Sequence, residues 1–126
     1  MKRCWFGLGL LVVVLILSIL ASIWMTRIHE NVEDDLNQAA QCALEGDWDA
    51  ADRYFLRAKR TWTAWEHFRA SLADHTPVEE ADADFAATGV YCYTRQDISF
   101  AASCLQLARQ VAAVGEAHEF AWWNLL

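Results

Sequence analysis

Hydrophobic positions fall into two regimes along this chain. The first 25 residues hold one long apolar run; the rest alternates apolar and polar steps at helical spacing. The run Cys4–Met25, CWFGLGLLVVVLILSILASIWM, contains 22 residues and no charged side chain. About 20 such residues suffice for a helix to cross a bilayer. Trp5 and Trp24 stand near its two ends. Their separation corresponds to roughly 28 Å along a helix, close to a hydrocarbon thickness of about 30 Å, so each indole meets a headgroup boundary. Lys2 and Arg3 precede the run and only Arg27 follows closely. The positive-inside rule then puts the N-terminus in the cytoplasm and the remainder outside. A cleaved signal peptide is the competing reading. The apolar core is too long for one, and residues two apart near its end pair Ile19 with Ala21 and Leu20 with Ser22, a poor cleavage pattern. The expected division is a cytoplasmic tip and transmembrane anchor over 1–26 and an extracytoplasmic domain over 27–126.

Beyond the anchor, Ile28, Val32, Leu36, Ala39/Ala40 and Ala43 recur at helical spacing, with no Gly or Pro between residues 10 and 45. The membrane helix is therefore expected to run on into a first outer helix. Gly46 is its stop and Asp47 the cap of the next. The second outer helix carries Ala51, Phe55, Ala58, Trp62, Trp65 and Leu72 as one seam. Arg53, Arg57 and Arg60 form a basic stripe beside it, expected to face acids of a neighbouring helix, with Asp49 placed to pair with Arg53. At about 42 Å against about 30 Å for its partner, this helix should bend or end between Ala70 and His75. Thr76, Pro77 and Glu79 form a start signal, and Asp74-His75 organises the turn before it. The third outer helix then sets Val78, Ala81, Phe85, Thr88 and Cys92 on one face.

Asp97 is the expected cap of the fourth outer helix and Gly115 its end. Most of its circumference is apolar. It is either the central helix of the bundle or one that meets another chain, and Leu107, Val114 and Phe120 are the candidate partner surface. In an up-down bundle it returns towards the membrane, where Trp122 and Trp123 would reach the headgroups; padding the core is the other reading of that tail. The second and fourth outer helices align at a 50-residue offset, Ala51 with Ala101 and Ala58 with Ala108. Two helical hairpins follow, resembling tetratricopeptide-style pairing without its 34-residue period. The expected fold is all-α: a transmembrane helix continuing into an antiparallel bundle of about four helices.

Charge sharpens this picture. All 17 acidic residues follow the anchor, and ten cationic residues less Lys2 and Arg3 leave eight, so the outer domain carries −9. Such a surface repels nucleic acid and anionic headgroups and tolerates cationic partners. Of four cysteines, Cys42, Cys92 and Cys104 lie outside, so at most one internal disulfide forms there; Cys92 with Cys104 is the candidate pair, and buried free thiols are the alternative. No two histidines lie four apart, no C-x-x-C, phosphate loop or nucleophile motif occurs, and neither a metal site nor a cofactor is expected. The acids over Glu79–Asp84 lack the alternation and turn glycine of a calcium loop.

Trp62, Trp65, Phe68, Asp74-His75, the acidic helix start and the closing Asn124-Leu125-Leu126 resemble a bacterial family of small, single-pass, membrane-anchored helical proteins of unknown function. The resemblance implies a cell-envelope setting and an integral membrane partner, and it brings no catalytic residue. The function expected is a non-catalytic module bound to the bilayer and to another membrane or envelope protein, a second copy included. A sensor taking a cation or cationic ligand on the acidic face is the alternative.

Overall fold

A computed structural model describes the backbone over residues 2–65 and 76–123, and the side chains over 5–65 and 78–116. Four α-helices account for nearly all of it: α1 (Lys2–Leu44), α2 (Trp48–Ala64), α3 (Thr76–Tyr93) and α4 (Asp97–Trp123). No strand occurs among the described residues. The apolar run and the first outer helix are one unbroken helix of 43 residues, with no Gly or Pro between residues 10 and 45 to interrupt it. α1 packs against both α2 and α4, and α3 packs against α4.

The core begins only in the upper half of α1. From Trp5 to Trp24 nearly every large side chain is exposed; from Val32 onward, Leu36, Ala39, Ala40 and Ala43 are buried. Phe55, Trp62, Phe85 and Phe100 fill the centre. Phe55 meets Phe85 at 6.2 Å and Phe100 at 5.5 Å between ring centroids, and Trp62 meets Phe85 at 5.8 Å. These tilted and edge-on arrangements suit aromatic quadrupoles.

The two tight connections are built alike. After α1, Asp47 N–H donates to Cys42 O and Gly46 N–H to Ala43 O; after α3, Gln96 N–H donates to Tyr91 O and Arg95 N–H to Cys92 O. Both are Schellman closures, which need a left-handed residue just past the helix. Gly46 supplies it at φ 84° and Arg95 at φ 55°. Arg95 tolerates that backbone because its guanidinium is held by Asp52 at 3.0 Å and lies 5.0 Å over the Trp48 ring.

Aligning the loops corrects the repeat offset from 50 to 49 residues. At 49, Val32, Leu36, Ala39 and Ala43 of α1 match Ala81, Phe85, Thr88 and Cys92 of α3, and Ala51, Phe55, Ala58 and Trp62 of α2 match Phe100, Cys104, Leu107 and Val111 of α4. All sixteen are buried. The residues differ in size within each pair, so large groups in one half fill space left by small groups in the other. The sequence alignment followed Asp47 to Asp97, but the position matching Asp47 is Gln96. Asp47 caps α2 by accepting from Ala50 N–H at 3.1 Å, whereas Asp97 is the first helical residue of α4 and only accepts from Ile98 N–H.

Two helix ends also differ from expectation. α2 stops at Ala64, with the Trp65 N–H closing back on Trp62 and Thr63 carbonyls, rather than between Ala70 and His75. Residues 66–75, with Phe68, Leu72 and the Asp74-His75 pair, lie outside the described residues; α3 does begin at Thr76, where the start signal lies. Gly115 does not end α4, which continues to Trp123. Its role is contact: a Cβ built there would lie 3.4 Å from Cβ and Cγ of His29 on α1.

These positions separate two uses of glycine. Gly46→Ala forces a side chain into the left-handed region and should cost about 1–2 kcal/mol. Gly115→Ala gains helix propensity and meets His29 at the edge of ordinary contact, so it should raise stability by about 0.5 kcal/mol, whereas Gly115→Leu should lower it by roughly 1–3 kcal/mol. Thermal unfolding of the full chain in mild detergent, followed by circular dichroism, checks the order.

Candidate functional site

Three features of this fold bear chemistry: the membrane-side end of the bundle, the polar bonds between helices, and the thiols near the distal loops. At the membrane-side end, Trp24 of the apolar run meets Trp65 at the end of α2, edge to face at 4.6 Å between centroids. One turn higher, His29 is buried, donates through Nδ1 to Met25 O at 3.0 Å, and lies 6.4 Å from the Trp62 ring. Trp24 thus joins the apolar run to the bundle. Trp5, the other expected interface residue, is 77% exposed at the far end of the run. For Trp122 and Trp123 only the helical backbone is described.

Between helices, polar side chains pair in a repeated way. Asp35 of α1 is buried and accepts from Arg57 of α2, through Nε at 2.7 Å and through Nη2. The hydrogen bond and the charge of Asp35 raise the Arg57 pKa above its usual value, so the cation is fixed. The guanidinium also lies over Tyr54. At the 49-residue offset stand Asp84 of α3 and Gln106 of α4: Gln106 donates to Asp84 Oδ2 at 3.2 Å and Gln110 donates to it at 2.8 Å. Each pair of consecutive helices, α1–α2 and α3–α4, therefore carries one aspartate bonded across to its second helix. Asp82 accepts from Trp62 Nε1 at 2.6 Å and ties α3 to α2. Of the expected basic stripe, Arg57 meets an acid on the neighbouring helix; Arg53 makes no ion pair with Asp49 and stays exposed with Arg60.

At the distal end, Cys92, Asp52 and Arg95 form one cluster. The Cys92 thiol donates to Asp52 Oδ1 at 2.8 Å while Asp52 Oδ2 holds Arg95. Cys42, Cys92 and Cys104 are all free thiols, and the Cys92 sulfur is directed at Asp52, not at Cys104. Burial, then the Asp52 hydrogen bond and charge, push the Cys92 thiol up to about 12, with Arg95 opposing; burial, then proximity to Cys92, push Cys104 to about 12. Both are held protonated near neutrality and are poor nucleophiles.

The acidic start of α3 is partly committed to the fold. Asp82 and Asp84 hold Trp62, Gln106 and Gln110, while Glu79 and Glu80 are exposed. Among the described residues no three His, Cys, Asp or Glu side chains gather at metal-binding distance. The proposed partner surface on α4 needs correction. Leu107 and Val114 are buried in the chain's own core, because α4 packs on both α1 and α3; Phe120 lies outside the described side chains. The large apolar groups of the bundle that do face outward are Leu44, Leu56, Val90, Tyr93, Ile98 and Leu105, of which Leu56 and Leu105 stand one 49-residue step apart. Each lines a shallow recess with an arginine one turn on: Leu56 with Lys59, Arg60, Thr63 and Ala64, and Leu105 with Gln106, Arg109 and Ala113.

Sequence reasoning missed Asp35, Asp52 and Arg95. Asp35 carried a signal, since it stands three after Val32 and four before Ala39, inside the apolar stripe. Asp52, in the first turns of α2, and Arg95, in the loop after α3, are 43 residues apart and meet only through tertiary packing. No family model, curated protein or solved structure matches the chain.

The thiols give a pH-dependent outcome. Their folded pKa values lie above the ordinary thiol value of 9.0, so the folded state holds protons that the unfolded state releases first. Their contribution to stability is complete below pH 9 and is lost as pH rises towards 12. At pH 8, maleimide should label the half-buried Cys42 first and reach Cys92 and Cys104 only on unfolding; mass mapping of labelled peptides reads this. Equal labelling of all three in the folded chain would contradict it.

Proposed function

We propose that this chain is a membrane-anchored, non-catalytic helical module of the bacterial cell envelope that binds another membrane or envelope protein. One observation carries the reading. The apolar half of α1 has a mean hydropathy of 2.8 over its best 18 residues, none of which the bundle buries, while the same helix supplies the core of the bundle. A soluble core helix would be covered by its neighbours; here the uncovered surface asks for lipid. A signal peptide cut at the end of the run would sever a continuous helix just below His29 and Val32, which argues for an uncleaved anchor.

Within this reading the outer domain is two antiparallel hairpins, α1 with α2 and α3 with α4, standing on the outer leaflet. The contacts Trp24–Trp65, His29–Trp62 and Asp35–Arg57 support it, because they ascend α1 as they descend α2. α4 continues eight residues beyond Gly115 to Trp123, about 12 Å of helix. With Gly115 beside His29, that length supports an interfacial position for Trp122 and Trp123. Lys2 and Arg3 favour a cytoplasmic N-terminus. The resemblance to small single-pass envelope proteins agrees with this topology.

Anchorage and topology are tested together. The full chain should stay in the membrane pellet after alkaline carbonate and keep its N-terminal residues by mass. Protease added to spheroplasts should remove the outer domain and leave a protected fragment containing Lys2 to about Met25. Release by carbonate, or a mature chain lacking the run, would overturn the anchor; protection of the outer domain would reverse the orientation.

A further inference from the structure

The outer face of α2 is basic where the outer face of α3 is acidic, and among the described residues neither face has an ion-pair partner. On α2, Lys59 and Arg60 are exposed and, among the described residues, make no ion pair; Leu56 is 47% exposed one turn above. On α3, Glu79 and Glu80 are exposed and, among the described residues, make no ion pair; Ala83, Ala86 and Ala87 are exposed above them. The two helices are neighbours, joined by the Trp62–Asp82 hydrogen bond and the Phe55–Phe85 contact. Those contacts fix their register. Arg60 stands close to the height of Asp82, within about one turn of Glu80, and Leu56 stands at the height of Ala86.

We propose that this α2–α3 face is a docking surface for a second copy of the chain, forming a closed two-fold dimer with its axis along the membrane normal. The proposal rests on the membrane-anchored reading above. Tethering by the span holds two copies upright and at one height, so only residues at equal height can meet. A two-fold axis beside neighbouring helices brings α2 of one copy to α3 of the other, and makes the same contact a second time, as an isologous interface requires. Lys59 and Arg60 then oppose the partner's glutamates. Leu56 enters the low ground over Ala83, Ala86 and Ala87, where short side chains permit close helix approach. Charge complementarity selects this occupant. A domain of net −9 repels its own copies generally, and here basic and acidic groups stand within about one helical turn of each other in height, inside the reach of their long side chains.

The test uses the full chain in native membranes and in nanodiscs. Lys59 is the one lysine outside the N-terminal tip, so a zero-length carbodiimide link from it is unambiguous. The expected product is a cross-linked dimer whose mapped peptide joins Lys59 to Glu79 or Glu80. Dimer fraction is then read by subunit counting in liposomes. Lys59→Glu/Arg60→Glu and Glu79→Lys/Glu80→Lys should each lower it roughly tenfold, since each reversal repels at both copies of the contact. Mixing the two variants should restore dimers, because each mixed pair regains both contacts. All four sites are exposed, and Lys59→Gln/Arg60→Gln gives a milder version should a reversal disturb folding. A wild-type chain that stays monomeric, a dimer that survives both reversals, or variants that do not pair when mixed would overturn the proposal. Carbonate extraction of the same samples keeps the readings apart: an extracted chain removes the anchor, and a retained monomer removes only the dimer.

Discussion

Everything in this structure hangs on the continuity of α1. A single helix of 43 residues, about 65 Å long, carries both an uncovered apolar half and the packed half around which α2 and α4 gather. Because no residue between 10 and 45 breaks it, the bundle has no hinge at its base. The lengths of its neighbours then follow. α2 descends until Trp65 meets Trp24, and there it stops. The helix that seemed too long from its sequence is thus matched to the height of α1 above the span.

The second organising fact is the 49-residue repeat. The two halves, α1–α2 and α3–α4, share loop geometry, sixteen buried positions and one aspartate bonded across each pair of helices, while sharing few residues. A core needs constant total volume more than constant identity. Trp62 in one half answers Val111 in the other, and Ala51 answers Phe100. Arg95 standing where Gly46 stands is the same tolerance at the backbone level, with Asp52 and Trp48 compensating for the left-handed conformation.

This explains what the sequence could disclose. The long apolar first helix, the four helices and the buried face of α3 all follow from local periodicity and from Gly46, Thr76 and Pro77. The repeat register misled because Asp47 and Asp97 both look like caps, and only the loop hydrogen bonds identify Gln96 as the equivalent residue. Gly115 misled for a related reason. A glycine near a helix end signals a stop by default, whereas here it makes room for the His29 ring, a neighbour 86 positions away in the chain. Leu107 and Val114 looked available on a helix with a wide apolar girth, but α4 lies between α1 and α3 and spends that girth inside. The polar groups that matter, Asp35 with Arg57 and Asp52 with Arg95, pair through tertiary packing that no local pattern encodes.

The Trp24–Trp65 contact has a mechanical consequence. It clamps the foot of α2 to the end of the apolar run, so in the membrane-anchored reading proposed above the run and the bundle tilt as one lever. Transmembrane helices lean by about 20° on average and adjust that lean to bilayer thickness. The distal loop at Gly46 stands about 30 Å above Trp24 along α1. A lean of that size swings the loop sideways by roughly 10 Å. Bilayer thickness would then set where the Cys92–Asp52–Arg95 end sits above the membrane, without any rearrangement inside the bundle.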